Sequence, residues 1–140
     1  MSFEGVIVGE LYKRHQIEIL VTVVQNEGSA KSAVMNCISM ALVNAGVAMR
    51  DLLVSCTVGA LNGRVVTDPN EEEERDLANE FVISYLRESQ TLDCVELRKA
   101  KLREEGLKEL HGAAVGSCEE LYGRLRRALL EYSVKKMLIF

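Results

Sequence analysis

The chain of 140 residues has no tryptophan, one proline and two histidines, and its acidic residues outnumber its basic ones by 21 to 17. Each shortage excludes something. A single proline and no low-complexity stretch leave no linker, so residues 1–140 are expected to form one domain large enough to bury its own core. No apolar run approaches the roughly 20 residues that cross a bilayer. Met1-Ser2-Phe3-Glu4 has neither the basic start nor the long apolar stretch of a secretory leader, which predicts an intracellular protein. The net charge of −4 argues against a domain that binds nucleic acid unaided, because such domains carry a basic excess.

Catalytic and metal signatures are scarce as well. His15 and His111 stand at no telling spacing from a nucleophile or a metal ligand, so no Ser-His-Asp or Cys-His arrangement is present and both are expected on the surface or on helix faces. Cys37, Cys56, Cys94 and Cys118 are scattered without a CxxC pair, which suggests neither a zinc site nor a disulfide framework; buried thiols are expected. Glycine-rich phosphate loops are absent.

What is present is an ordinary globular composition, 48% hydrophobic and 27% charged. FEGVIVGELY, residues 3–12, fits a short helix with Val6, Ile7 and Leu11 inward, and a strand fits too. QIEILVTVV, residues 16–24, alternates and then turns continuously β-branched, which predicts a strand that becomes buried. Gly28-Ser29 ends it, with Ser29 as N-cap of a helix to about Ala45 that Gly46 stops. In that helix Ala30, Ala33, Val34, Cys37, Ile38, Ala41 and Ala45 recur at three- and four-residue steps with further apolar residues around them, which predicts a central helix buried on nearly every side.

LLVSCTVGAL, residues 52–61, reads as a buried strand, and Asn62-Gly63 turns it tightly into RVVTD. LANEFVISYL, residues 77–86, fits a helix or a strand. The alternating TLDCVELRK, residues 91–99, suggests that the two make a second hairpin. A long helix follows from about Arg103 to Tyr132, with Leu107, Leu110, Ala114, Cys118, Leu121, Leu125, Ala128, Leu129 and Tyr132 on one face. Strand, helix, hairpin, hairpin, helix is an α+β order.

Two stretches invite chemistry. In QNEGSAKSA, residues 25–33, a turn and a lone lysine open an apolar helix, where the helix dipole favours an anion rather than a cation. Backbone N–H groups over Gly28–Ser32 with Lys31 would hold a phosphate or sulfate; an ordinary capped helix with a solvated lysine is the plainer reading. Asp68 with Glu71–Glu74 would share a Mg²⁺ with a phosphate substrate; a solvated acidic loop is again the plainer reading.

Ordered motifs join these stretches. HQIEILVTVVQNEGS, MALVNAGVAMRDLL and GALNGRVVTDPNEEEE resemble, in that order and without a gap between Gln25 and Glu74, the second half of the RNase PH family of phosphorolytic ribonucleases and exosome ring subunits. The middle block, matching the family's ALVDAGIPMRDL, is the most specific. CEELYGRLRRALLEY resembles the last helix of the ring subunits, and Asp68-Pro69 with that helix is most similar to the non-catalytic subunit of the component-five type.

The resemblance implies an RNase PH-like sheet packed on helices, the C-terminal part of that fold, with 77–86 a strand. In active members a threonine and an arginine grip phosphate where this chain has Ala30 and Lys31; lysine keeps the charge without the two-pronged guanidinium. The metal-side acids correspond to Asp68 and Glu74, the second an aspartate in active enzymes, so both are expected to be vestigial and no catalytic residue is implied. Gly28, Ser29, Lys31 and Arg64 remain as phosphate- or RNA-binding candidates.

The function implied is a non-catalytic structural subunit of the RNA exosome core ring, supporting 3′-to-5′ RNA processing and degradation without a cofactor or metal. Its partners would be other RNase PH-like subunits, cap subunits and RNA reached through the assembled ring, with no membrane, in the nucleus, nucleolus and cytoplasm. A weak phosphorolytic or Mg²⁺-dependent exoribonuclease acting as a dimer is the rival, and an interaction module without RNA contact a third reading. Family members also carry strands before the matching region; their lack here is expected to leave a sheet edge open to a partner.

Overall fold

The structure is a computed structural model that describes residues 3–98 and 104–138. Met1, Ser2, the strand end expected at Lys99 and the helix start expected at Arg103 lie outside these residues, as does the side chain of Cys94. The elements are α1 (Ala30–Asn44), β1 (Leu53–Leu61), β2 (Arg64–Thr67), α2 (Glu71–Asp76), β3 (Asn79–Leu86), β4 (Thr91–Arg98) and α3 (Glu104–Leu138). The strands make one antiparallel sheet in the order β2-β1-β3-β4. Both hairpins agree with the sequence reading. Asn62 and Gly63 take φ of 51° and 75°, the left-handed pair that a type I′ turn requires.

Strand alternation splits the sheet between two helices. Val54, Cys56 and Val58 stand opposite Tyr85, Ile83 and Phe81 and pack under Leu110, Ala114, Cys118 and Tyr122 of α3. Leu53 faces the other way, into a second cluster with Phe3, Val6 and, from α1, Met35 and Leu42. The domain is therefore layered as α3, sheet, α1, with the N-terminal turns Phe3–Gly5 and Gly9–Tyr12 beside α1. These are 3₁₀ turns rather than the helix or strand expected over 3–12; Val6 is buried and Leu11 is exposed.

The strand expected at 16–24 is not formed. Ile17 is half-buried, and the rest of this stretch is exposed, Leu20 and Val24 most of all. A strand exists through its neighbours, and among the described residues none supplies a ladder to this segment. Its pattern therefore stays unused.

Nor is α1 buried on nearly every side, as expected. Ser32, Met35, Ser39 and Leu42 are buried and Val34 and Ile38 half-buried, whereas Ala33, Cys37, Ala41 and Ala45 are exposed. The cause is the rim of β1. β2 pairs with Val58–Leu61, and among the described residues no strand lies along the main chain of Leu53–Thr57 on that side. Polar groups fill the gap: Ser39 Oγ donates to Leu53 O at 2.6 Å, Asn36 bonds both N–H and C=O of Ser55 at 2.8 Å, and Asp68 N–H donates to Thr57 O at 2.8 Å. Satisfying buried main-chain groups outweighs hiding a few more alanine methyls.

α3 follows its expected face through Leu110, Ala114, Cys118, Leu121 and Leu125 and then runs past the sheet, leaving Tyr132, Val134 and Met137 exposed. The overhang is geometric. A helix of 35 residues is about 52 Å long, whereas β3 and β4, of 8 residues each, span roughly 27 Å.

A cleft between the two helices

Where β2 ends and the β1 rim begins, α1 and α3 border a cleft of ≈ 570 Å³. Its wall is Gly28, Ser29, Ser32, Ala33 and Asn36 from the start of α1, Ser55–Thr57 from β1, Thr67 and Asp68 after β2, and Ser117, Glu120, Leu121 and Arg124 from α3. The start of α1 is fixed by a second loop. Gly28, at φ 110°, lies so close to Pro69 and Asn70 that an added Cβ would sit 2.5 Å from Pro69 O. Only glycine combines that backbone with that contact. Ser29 Oγ donates to Pro69 O at 2.9 Å and Glu71 N–H to Glu27 O at 2.7 Å, so the two loops are tied from both sides.

Ser29 occupies the N-cap position, but its side chain makes no cap bond. Its left-handed backbone (φ 51°) turns the hydroxyl to Pro69, and Ser32 Oγ donates back to Ser29 O at 2.8 Å. The Ser29 N–H is already taken: it donates to the Glu74 carboxylate at 2.6 Å.

Glu71–Glu74 are not a loop but the first turn of α2, started by a capping box in which Asn70 and Glu73 exchange bonds at 2.9 Å. This helix carries Glu74 to the start of α1. Acidic residues in a first turn also suit the helix dipole, which gives the EEEE run a structural reason of its own.

The candidates from sequence therefore separate. Gly28, Ser29 and Asp68 share the cleft wall, and Glu74 meets it through the Ser29 amide. Lys31 points elsewhere: its ammonium bonds the Glu96 carboxylate of β4, half-exposed. That bond, with the nearby Lys31 and Arg98 charges, holds Glu96 below the usual carboxylate range against a smaller opposing effect of burial. Arg64 sits exposed at the turn end of β2, outside the cleft wall. The cation on the wall is Arg124, paired with Glu120 one turn before it on α3.

Sequence reading missed the α3 side of the cleft. Ser117, Glu120 and Arg124 stand at three- and four-residue steps on the flank of α3, a spacing that was readable once the opposing apolar face was drawn. Asn36, inside an apolar run, gave no such signal. Among the described residues no group of three His, Cys, Asp or Glu side chains stands together as a metal set. His15 and His111 are exposed, Cys56 and Cys118 are buried as expected, and Cys37, against expectation, is exposed.

Residues 1–48 match the RNase PH family model described as the 3′ exoribonuclease family, domain 1. Over 91% of its length the chain is 33% identical to exosome complex component Rrp41 of Pyrobaculum calidifontis, covering 52% of that protein. It is 32% identical to the Arabidopsis thaliana Rrp41 homolog, over 93% of this chain and 54% of that one. It is 28% identical to human RRP41, over 94% and 53%. The chain thus spans about half the length of the curated relatives it matches. Among solved structures, rice (Oryza sativa) Rrp46 superposes with a TM-score of 0.69 at 24% identity, over 77% of this chain and 51% of that one, a likeness of fold.

Proposed function

We propose that this RNase PH-like chain is a non-catalytic structural subunit of the RNA exosome core ring, supporting 3′-to-5′ RNA processing and degradation beside subunits that do the cleavage. The observation that carries this reading is at the start of α1. Phosphorolysis needs inorganic phosphate held where charge develops. Here the Ser29 amide is occupied by Glu74, Lys31 is paired with Glu96, and Arg124 is paired with Glu120. A phosphate entering the cleft would meet Asp68 and Glu120 on the wall and Glu74 at the Ser29 amide, and carboxylates repel it. The partners proposed are other RNase PH-like subunits and cap subunits, with RNA reached through the assembled ring, in the nucleus, nucleolus and cytoplasm. Gly28, Ser29, Lys31 and Arg64 are kept as RNA-backbone contacts only in that assembled state.

One observation favours the rival exoribonuclease: Asp68 faces the cleft beside the Ser32 and Thr57 hydroxyls, an arrangement able to present a carboxylate to a hydrated Mg²⁺. The test is release of nucleoside diphosphates from single-stranded RNA in phosphate and Mg²⁺. No release above buffer is expected. Robust release that Asp68→Ala abolishes would establish the enzyme instead. Purification from the native cell, with identification of co-eluting ring and cap subunits, tests the assembly.

A further inference from the structure

The thiols of Cys56 and Cys118 have no part in the cleft chemistry above, yet they are placed together. Cys56 extends from β1 towards α3, and Cys118 from the face of α3 that meets it. Their bonds cross: Cys56 Sγ donates to Ala114 O at 3.2 Å, and Cys118 Sγ to Val54 O at 3.9 Å. In a helix the carbonyl of residue 114 is directed at the N–H of residue 118, so a sulfur on Ala114 O lies beside Cys118. The neighbouring Cys56 thiol, together with burial, pushes Cys118 above the ordinary thiol range. Their access differs. Cys118 is fully enclosed, whereas Cys56 is 8% exposed and forms part of the cleft floor.

We propose that Cys56 and Cys118 are a peroxide-responsive dithiol that closes to an intramolecular disulfide, stapling α3 to β1 beneath the cleft. Hydrogen peroxide enters by the cleft and reaches Cys56 first. The Cys56 sulfur attacks the O–O bond and takes one oxygen as a sulfenic acid, and the departing hydroxide leaves as water with the thiol proton. Cys118 sulfur then attacks the Cys56 sulfur. The S–O bond breaks, and its hydroxide leaves as a second water with the Cys118 proton. Two thiols lose two electrons, and one peroxide becomes two waters. The enclosed position of Cys118 makes it the resolving partner, because peroxide cannot reach it while the neighbouring sulfur can.

The experiment treats the native chain with hydrogen peroxide, blocks remaining thiols under denaturing conditions, and maps peptides without reduction. The expected result is a Cys56–Cys118 linked peptide, a fall in blockable thiols from four to two of the cysteines in the sequence, and a thermal midpoint raised by on the order of 10 °C. Dithiothreitol restores all of it. Cys118→Ala is expected to stop the oxidation of Cys56 at a sulfenic acid trapped by dimedone. A map in which Cys56 and Cys118 stay reduced or singly oxidised while Cys37 or Cys94 is linked would overturn the proposal. The wild-type map decides the matter even if the variant does not fold.

Discussion

The Ser29 amide and the Glu74 carboxylate, 45 residues apart in sequence, share a hydrogen bond of 2.6 Å. The bond joins the first turn of α1 to α2 and places a negative charge of the chain's own at the positive end of α1. The dipole that makes such an end attractive to phosphate is here satisfied internally. The acid thus acts as a structural anion, and its bond to the Ser29 amide supports the fold.

Glu74→Ala is expected to destabilise the domain by about 1.5–3 kcal/mol, the range for a hydrogen bond to a charged group whose buried partner is left behind. Glu74→Gln keeps an acceptor within reach and is expected to lose about half as much. Urea unfolding followed by circular dichroism measures both. Equal midpoints for all three proteins would show that the contact contributes nothing.

Gly28→Ala meets two obstacles at once, a φ of 110° and main-chain atoms of Pro69 and Asn70 within 2.7 Å of the new methyl. Main chain cannot swing aside as a side-chain tip can. A loss of at least about 2 kcal/mol is expected, together with release of the loop ties, seen as faster amide exchange at Glu71. Wild-type stability in this variant would mean that the loops stand farther apart.

Much of this architecture was legible in the sequence, and the failures share one cause. The Asn62-Gly63 turn and the buried half of α3 rest on local rules, namely turn chemistry and periodicity, and the structure agrees with them; periodicity leaves 77–86 open between helix and strand, and its pairing with 91–99 is suggested by the alternation of the second segment and by the family resemblance. The stretch 16–24 and the face of α1 depend on which neighbours are present. Hydropathy favours burial on nearly every side, Ala33, Cys37 and Ala41 included, but a sheet rim that no strand pairs with among the described residues turns Ser39 and Asn36 inward. Gly28, Ser29 and Asp68 could be singled out because turn and loop residues declare themselves, and they line the cleft; that Lys31 would turn to Glu96 required knowing where β4 lies. The capping box Asn70–Glu73 was readable, and was obscured by reading four glutamates as a charge run.

The Lys31–Glu96 pair gives a pH signature. Glu96 is held below its usual range chiefly by the Lys31 hydrogen bond, so its folded pKa lies under the unfolded one. The pair's contribution is then complete above the unfolded carboxylate pKa and lost as pH falls through the lower folded value. Carboxyl carbon NMR is expected to show Glu96 titrating below the usual glutamate range, and Lys31→Gln to raise its midpoint. Millimolar phosphate is expected to leave that midpoint unmoved, because Lys31 does not serve the cleft. A phosphate-dependent rise would mean that Lys31 leaves Glu96 for the anion.

Ser39 and Ala41 stand two residues apart on α1, and they separate the two accounts of that helix. Ser39 is fully enclosed, and its hydroxyl holds Leu53 O at 2.6 Å on a rim that no strand among the described residues covers. Ser39→Ala removes the donor and leaves a buried carbonyl unpaired, an expected cost of about 1–2 kcal/mol; Ser39→Val adds overpacking, for roughly 3 in all. Ala41 is exposed, so Ala41→Asp pays only the helix propensity of aspartate, below about 1 kcal/mol. Had the apolar periodicity set the inner face, Ala41→Asp would bury an unpaired charge and prevent folding, while Ser39→Ala would be neutral. Urea midpoints of the two variants, measured side by side, read the order directly, and a reversed order would turn α1 by about half a turn relative to the sheet.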